Sequence, residues 1–552
     1  MSNKHGNWGS DSETHKTNPG LISRRRLLQS IGLTGAAAAS TAILPPLGAF
    51  GQSGVSDNVY GLLDGRVNET PAAKSNPGPP FSTWPDPFAD VKRFGAAGDG
   101  VADDTTAVQA AISSLSQGGT VVFPKGTYRI TSRIEVNADH TVLLGQGFDS
   151  KIVYTYEQTD TDTMQTASLF VFRNGIRDIQ VRDMQLQYTG TFFPEAGDSY
   201  KGLVNGLKFS LCFDVLIHNV EIHGFNASGI EVMTGNSSVY GQRITVHQCH
   251  LHHNRVAGIW YGNVEYISIT DCDLNYNGSV PDGATGYGCA GAKAESPRHI
   301  QVIGNRACFN YRKGIDLHAG VNAVIEGNLC HGNRLYGIYT EGRRTGNVLI
   351  KGNVISGMKR ATVGLASPYN SISGISFGVS NPTPLANDFF NFVIEGNLFT
   401  DFGIDQDDAF AIQCYFDFAN GTIQIRNNVI RASRVAYLVR LSPRSGTPRN
   451  VKVDISGNQM FVDQVTQYPF LLLRAEYINI QGNQITINNQ PAVRDGIVSA
   501  DSTSLKTLTY MGNQVVASNL STPYSLAAYS QPWMKARTIK QGNFLNLAVE
   551  PD

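Results

Sequence analysis

Charge is scarce in this sequence: Asp, Glu, Lys and Arg make up only 16 % of 552 residues, and the formal net charge is −1. Five basic residues stand against two acidic ones within the first 51 positions, so the remainder is acidic, the wrong balance for a nucleic-acid binder. Cysteine is sparse as well. The seven present form no Cys-x-x-Cys pair, and their odd number excludes a fully paired disulfide framework and argues against a zinc site. No run of the ~18 apolar residues needed for a membrane span occurs after residue 51. The Leu/Asn consensus of leucine-rich repeats and the Trp-Asp mark of propeller blades are both missing. What is plentiful is glycine, 57 residues, on a background that is 41 % hydrophobic, which excludes a fully disordered chain.

Residues 1–51 read as an export signal. Ser23-Arg24-Arg25-Arg26-Leu27-Leu28 leads into an Ala-rich apolar stretch from Ile31 to Leu44, then Pro45-Pro46 and a small-residue site at Ala49-Phe50-Gly51. That order is the twin-arginine form, so the mature chain is expected in the periplasm or outside the cell. Residues 52–88, with Asn76-Pro77-Gly78-Pro79-Pro80, read as an extended arm or linker. Order begins near residue 89. A helix from Ala107 to Leu115 is capped by Asp103 to Thr106, and a strand, turn and strand follow over Gly118 to Tyr128.

Beyond that the sequence repeats. Gly-Asn pairs end at Asn305, Asn328, Asn353, Asn397, Asn458, Asn483, Asn513 and Asn543, with Asn427-Asn428 in the same role, at gaps of 23, 25, 44, 31, 30, 25, 30 and 30. More diverged copies sit at Asp183, Asn219, Gln248 and Asp271, and a second series, Gly229-Ile230, Gly258-Ile259, Gly314-Ile315 and Gly337-Ile338, marks another strand of each unit. Short strands joined by bends at this period make one rung of a right-handed parallel β-helix, an all-β solenoid in which stacked rungs share one core over residues 89–552. Gly and Asn at the bends are expected to take positive φ. Four of the cysteines, Cys249, Cys272, Cys308 and Cys330, recur near one point of the repeat and read as stacked buried thiols. The helix near Ala107 would close the first end of the coil, and Pro532 to Asp552 the last.

Phe94-Gly95-Ala96-Ala97-Gly98-Asp99-Gly100, then Asp103-Asp104-Thr105 and Phe123-Pro124-Lys125-Gly126-Thr127-Tyr128, resembles the N-terminal run shared by pectate-lyase-like β-helix proteins, among them family 28 glycosidases, tailspike depolymerases and mannuronan C5-epimerases. The resemblance implies a glycan-active fold rather than one reaction.

Strand alternation puts Ile315 and Leu317 inside and turns Asp316 and His318 outward, side by side in solvent. One rung on, Tyr339 stacks on Asp316 and Glu341 on His318; two rungs back, Trp260, next to Tyr261, shares the Asp316 column. Lys293, Arg312, Lys313, Arg343 and Arg344 surround the patch. Aromatic faces accept pyranose rings, carboxylates and imidazole move protons, and cations hold a uronate carboxylate. Asp316-Leu317-His318 followed by Glu341 also resembles the mannuronan C5-epimerase site, where Asp-Pro-His precedes a further acid by one rung. The resemblance carries acid and imidazole roles to Asp316 and His318, and an acidic role to Glu341 where the family has Asp. Leu317 stands where the family has Pro, and Lys313 where it has a catalytic Tyr; Tyr311 or Tyr339 would have to supply the hydroxyl.

The expected activity is cleavage of a uronate-containing polysaccharide by β-elimination, or related C5-epimerisation, with His318 or Lys313 as base. An inverting glycoside hydrolase or glycosyl transferase is the alternative, because Asp316 and Glu341 would lie roughly 8 Å apart, inside the ~6.5 to 9.5 Å window of inverting enzymes. A non-catalytic glycan-binding surface protein is the second alternative. No cofactor is identified from the residues with certainty, and Asp405-Gln406-Asp407-Asp408 could hold Ca²⁺. His247, His250, His252 and His253 lie at a bend with mixed facing, which disfavours a metal. A homo-oligomer is left open.

Overall fold

The computed structural model describes residues 87–549 apart from 160–166, 191–202, 235–238, 279–284, 293–296, 319, 341–345, 359–371, 379–388, 403–408, 416–419, 442–449, 468, 474, 490–497, 501–504, 518–535 and 546–547. The export signal and almost all of the Pro/Gly-rich arm lie outside the described residues. The described chain is a parallel β-helix. Each rung contributes one strand to a 13-stranded parallel sheet and, across two further corners, two strands to a 31-stranded sheet. In one rung the strands are Lys313–Asp316, Val321–Glu326 and Leu329–His331; Tyr336–Thr340 then begins the next directly above Lys313–Asp316. Ile, Val, Leu and Phe from successive rungs fill one continuous core, which no single rung could bury alone.

The corners correct the expectation about Gly-Asn. Gly304, Gly327, Gly352 and Gly396 take the positive φ, whereas Asn305, Asn328, Asn353 and Asn397 turn inward and are buried. Each side-chain carbonyl accepts from the preceding rung's asparagine: Asn305 N–H and Nδ2 both donate to Asn328 Oδ1, at 2.9 and 3.0 Å. The ladder runs unbroken to Asn543. A buried corner amide left unpaired would cost about 1–3 kcal/mol, and stacking removes that cost. Asp183, Asn219, Gln248 and Asp271 occupy the left-handed glycine position, one residue before the inward one. Cys272 therefore takes the ladder position, accepting from Cys249 N–H and donating its own N–H to Asn305 Oδ1. A second ladder, Asn254, Asn277, Asn310 and Asn333, lines the next corner and was not expected. All seven cysteines are free and buried.

The Gly-Ile series marks a strand of each rung, as its spacing predicts, at a close backbone contact. A Cβ on Gly314 would lie 2.7 Å from the Gly337 carbonyl and 2.7 Å from Asn333 Nδ2, and Gly258, Gly288 and Gly337 are pressed in the same way. The helix spans Thr105–Ser114 and buries Val108, Ala111 and Ile112 against the first rungs. Its N-cap, Asp104, turns its carboxylate to the N–H groups of Ala97 and Gly98 instead of the helix. Thr538–Gln541 pairs in parallel with Thr507–Met511, so the described end of the chain adds strands to the coil rather than a cover.

Candidate active site

Register along the 13-stranded sheet fixes two outward columns. One reads Lys208, Glu231, Trp260, Ala290, Asp316, Tyr339, Ser376, Gln413; the other reads Ala257, Tyr287, Lys313, Tyr336, Ser373, Phe410. The column expected for Trp260, Asp316 and Tyr339 is the one observed. Its exposure is not. Asp316 points away from the coil interior yet is fully buried, because the neighbouring columns close over it, so it does not face solvent beside His318. Lys313, three residues earlier, is buried as well and donates from Nζ to Asp316 Oδ2 at 2.7 Å.

The second carboxylate oxygen, Oδ1, faces His318 Nδ1 at 3.0 Å, at an angle short of a finished hydrogen bond. His318 keeps 16 % of its side chain in solvent and is the group that leads outward from the buried pair. Burial pushes the Asp316 carboxyl up, but His318 and Lys313 together outweigh it and hold the acid below the ordinary carboxylate range. Lys313 is boxed by aromatic faces, with Nζ 3.5 Å from the Tyr339 ring centroid, 5.4 Å from that of Tyr287 and 5.9 Å from that of Tyr336. Tyr339 meets His318 edge-on at 5.4 Å and stacks on Tyr336 at 4.8 Å.

The other sequence candidates divide. Trp260 is half-buried and packs edge-on against Tyr287. Tyr261 is not a surface aromatic: alternation turns it into the core, where its hydroxyl reaches the backbone carbonyl of Asp316 at 3.4 Å. Arg312 is buried, with Nη1 3.1 Å from the Tyr287 hydroxyl. Tyr311 lies under Arg334, whose guanidinium is 4.2 Å from the ring centroid. Glu341, Arg343, Arg344, Lys293 and the Asp405–Asp408 run lie outside the described residues. His247 stacks on His218, and His252 shares a 2.8 Å Nδ1–Nδ1 contact with His253 while reaching Glu221. Among the described residues no cluster of three or more His, Cys, Asp or Glu could hold a metal. Tyr287 and Tyr336 were missed, although each adjoins a glycine of the stacked series, Gly288 and Gly337, which places it in the Lys313 column. Ala290, one rung below Asp316, is buried in a small apolar cluster with Tyr287, against which Trp260 packs.

A family model described as rhamnogalacturonase A/epimerase, pectate lyase-like, matches residues 88–342, and a right-handed β-helix model matches residues 290–460. YclG of Bacillus subtilis is 24 % identical over 342 residues, 56 % of this chain and 55 % of its own length. Alginate lyase 7 of Azotobacter vinelandii is 31 % identical over 144 residues, 24 % of this chain and 16 % of the relative. The chain thus spans about half, or less, of these relatives' length. Among solved structures, a tailspike protein of E. coli bacteriophage HK620 in complex with a pentasaccharide superimposes with a TM-score of 0.50 at 13 % identity, covering 83 % of this chain and 78 % of the tailspike. Among the described residues no helix is long and apolar enough to cross a membrane.

Proposed function

Starting from the fact that this chain is a pectate-lyase-like right-handed β-helix protein, we propose that it acts on a uronate-containing polysaccharide by removing the proton at C5 of a uronate, with His318 as the base. The observation that carries this reading is the enclosure of Asp316 between Lys313 and His318. One oxygen is taken by Lys313 and the other faces His318, and the carboxylate itself is buried while the imidazole keeps a solvent-facing edge. Asp316 therefore presents no solvent-facing oxygen to a glycosidic bond, which weighs against the inverting hydrolase that would pair it with Glu341. It is a positioning residue: when Nδ1–H of His318 points at Asp316, Nε2 is left as an acceptor toward solvent.

Lys313 is the counter-ion of Asp316 rather than the base, because its ammonium is committed to that carboxylate and to the surrounding rings. In elimination the C5–H pair becomes the new C4–C5 double bond, the proton goes to His318 Nε2, and the C4–O bond breaks. The departing oxygen takes a proton from the Tyr339 hydroxyl, which is replenished from water. The half-buried Trp260 offers an aromatic face to the neighbouring sugar ring. C5-epimerisation shares the first step and differs only in returning a proton to the opposite face. The twin-arginine pattern supports delivery of the folded enzyme to the periplasm or beyond.

The test is incubation with alginate and polygalacturonate, followed at 235 nm. Rising absorbance that disappears in His318→Ala is the expected result, and C5 inversion without absorbance would assign the epimerase branch. Reducing ends without absorbance or inversion would overturn the proposal in favour of hydrolysis, and binding without any product in favour of a non-catalytic glycan receptor.

A further inference from the structure

From the third to the sixth rung beyond Asp316, on the 31-stranded sheet rather than the 13-stranded one, lies a groove of about 390 Å³ that the chemistry above leaves unused. At roughly 4.8 Å per rung it begins on the order of 14 Å further along the coil axis and on a different sheet, so it is not an extension of the His318 site. Two outward columns floor it: Thr422, Lys452, Tyr477, Thr507 and Gln424, Asp454, Asn479, Thr509, paired rung to rung. Its volume falls in the range of small-ligand sites, ~300–1,000 Å³.

The side chains are arranged rather than merely polar. Asp454 is held by Asn479 Nδ2 at 2.5 Å on one oxygen and by the Ser456 hydroxyl at 2.8 Å on the other. Carboxylate and amide thus form a fixed pair able to receive sugar hydroxyls. Tyr477 is 38 % exposed and offers a ring face. Two ammonium groups flank that ring, Lys506 at 5.5 Å and Lys452 at 6.0 Å from its centroid. Lys506 is already paired with Glu476 at 2.8 Å. Lys452 has no carboxylate partner among the described residues, which leaves one cation beside one aromatic face and a ladder of hydroxyl, amide and carboxylate groups. The four rungs advance by about one rung spacing per step, a rise comparable with one pyranose residue of an extended chain.

We propose that this groove is a second, non-catalytic binding site for an acidic glycan strand lying along the coil axis, with a sugar ring on Tyr477, its carboxylate on Lys452 and its hydroxyls on Asp454 and Asn479. The assignment goes beyond the reaction at His318 and does not depend on turnover there. A polysaccharide held on one face would raise the local concentration of chain for the other face, an effective-concentration gain without new contacts at the active site.

The experiment titrates full-length His318→Ala protein, which cannot turn substrate over, with hexamers of alginate and of polygalacturonate and with a neutral cellohexaose control, by calorimetry. Acidic hexamers are expected to bind, more weakly at high salt. Tyr477→Ala and Lys452→Ala, made in the same background, are expected to lower affinity at that site roughly two- to fivefold each, as loss of a ring face and of an exposed ion pair allows. Both positions are at the surface, so the melting temperature should not move. Binding that neither substitution weakens, or equal binding of cellohexaose, overturns the groove assignment. Failure of the 235 nm assay with retained Lys452-dependent binding sinks the catalytic reading alone, and the converse result sinks the groove alone.

Discussion

Two buried lysine–carboxylate pairs stand on the same sheet, three rungs apart, and only one of them leads anywhere. Lys208 and Glu231 are neighbours across a rung, 2.6 Å apart with side chains 4 % and 1 % exposed. Glu231 also receives Asn205 Nδ2, and Asn205 is itself tied to Ser168. Every partner of that carboxylate is buried, so the charge is neutralised in place. Lys313 and Asp316 begin identically, but the remaining carboxylate oxygen faces an imidazole that reaches solvent. Burial and a strong ion pair are therefore structural features in themselves. Chemistry requires a titratable group that carries one end of the pair to the surface.

Paired substitutions break or confirm that contrast, and they should produce the largest effects. Asp316→Asn removes the charge that orients and supports His318, and turnover at 235 nm is expected to fall about 10²- to 10⁴-fold. Glu231→Gln should leave turnover within about a factor of two while costing stability of the order of 3–5 kcal/mol, because Lys208 is left buried without its counter-charge. Denaturant midpoints measured beside initial rates separate the two. Equal losses of rate in both variants would mean that the exposed imidazole is not what distinguishes them.

The asparagine ladder extends the comparison to neutral groups, with a smaller expected effect. Asn428 accepts from Asn397 N–H and Nδ2 and donates to Ile394 O and Asn458 Oδ1. Asn428→Leu strands those partners inside the core and should cost about 2–4 kcal/mol. Asn427→Gly, one residue earlier at φ 56°, should be neutral or slightly stabilising, since that position needs only left-handed backbone freedom. Chemical denaturation of the two variants tests the division of labour, and similar losses would refute it.

That division explains what could be read from the sequence and what could not. Corner spacing is a local property, so the Gly-Asn and Gly-Ile series disclosed the rungs and placed Asp316, Tyr339 and Trp260 in one column. A left-handed bend and a buried amide ladder, however, leave the same dipeptide behind, and only the stacked structure tells which residue does which. Alternation likewise reports whether a side chain points out of the coil, not whether something covers it. Asp316 and Ser376 both point outward, and both are buried. The Lys208–Glu231 pair escaped notice because its two members are 23 residues apart and belong to rungs that lack the Gly-Asn mark. Lys452 and Tyr477 were hidden for a similar reason: their significance lies in a groove between rungs.

Acid response gives the smallest effect and separates the buried pair from the histidines outside it. His223 is stacked on His252 at 4.9 Å, with Glu221, His253 and Lys151 around it. Burial, then His252, lowers its proton affinity below the usual 6.5, and only Glu221 opposes them. His218 and His253 are lowered too, by burial and a histidine neighbour. The folded state keeps these rings neutral where the unfolded chain protonates, so stability declines as pH falls below about 6.5 and the decline ends below their lowered native values. Asp316 responds later. Its carboxyl is held below 3.8, so its contribution persists through mild acid and is lost only as pH falls further, through the native value. Melting temperatures from pH 7.5 to 3 should therefore drop in two stages. His223→Gln should flatten the upper stage alone, because glutamine keeps a polar side chain there without the proton that His252 repels. If His223→Gln left the slope between pH 6.5 and 5 unchanged, the outer stack would not be the acid-sensitive element, and the difference between the enclosed pair and the outer histidines would have to rest on catalysis alone.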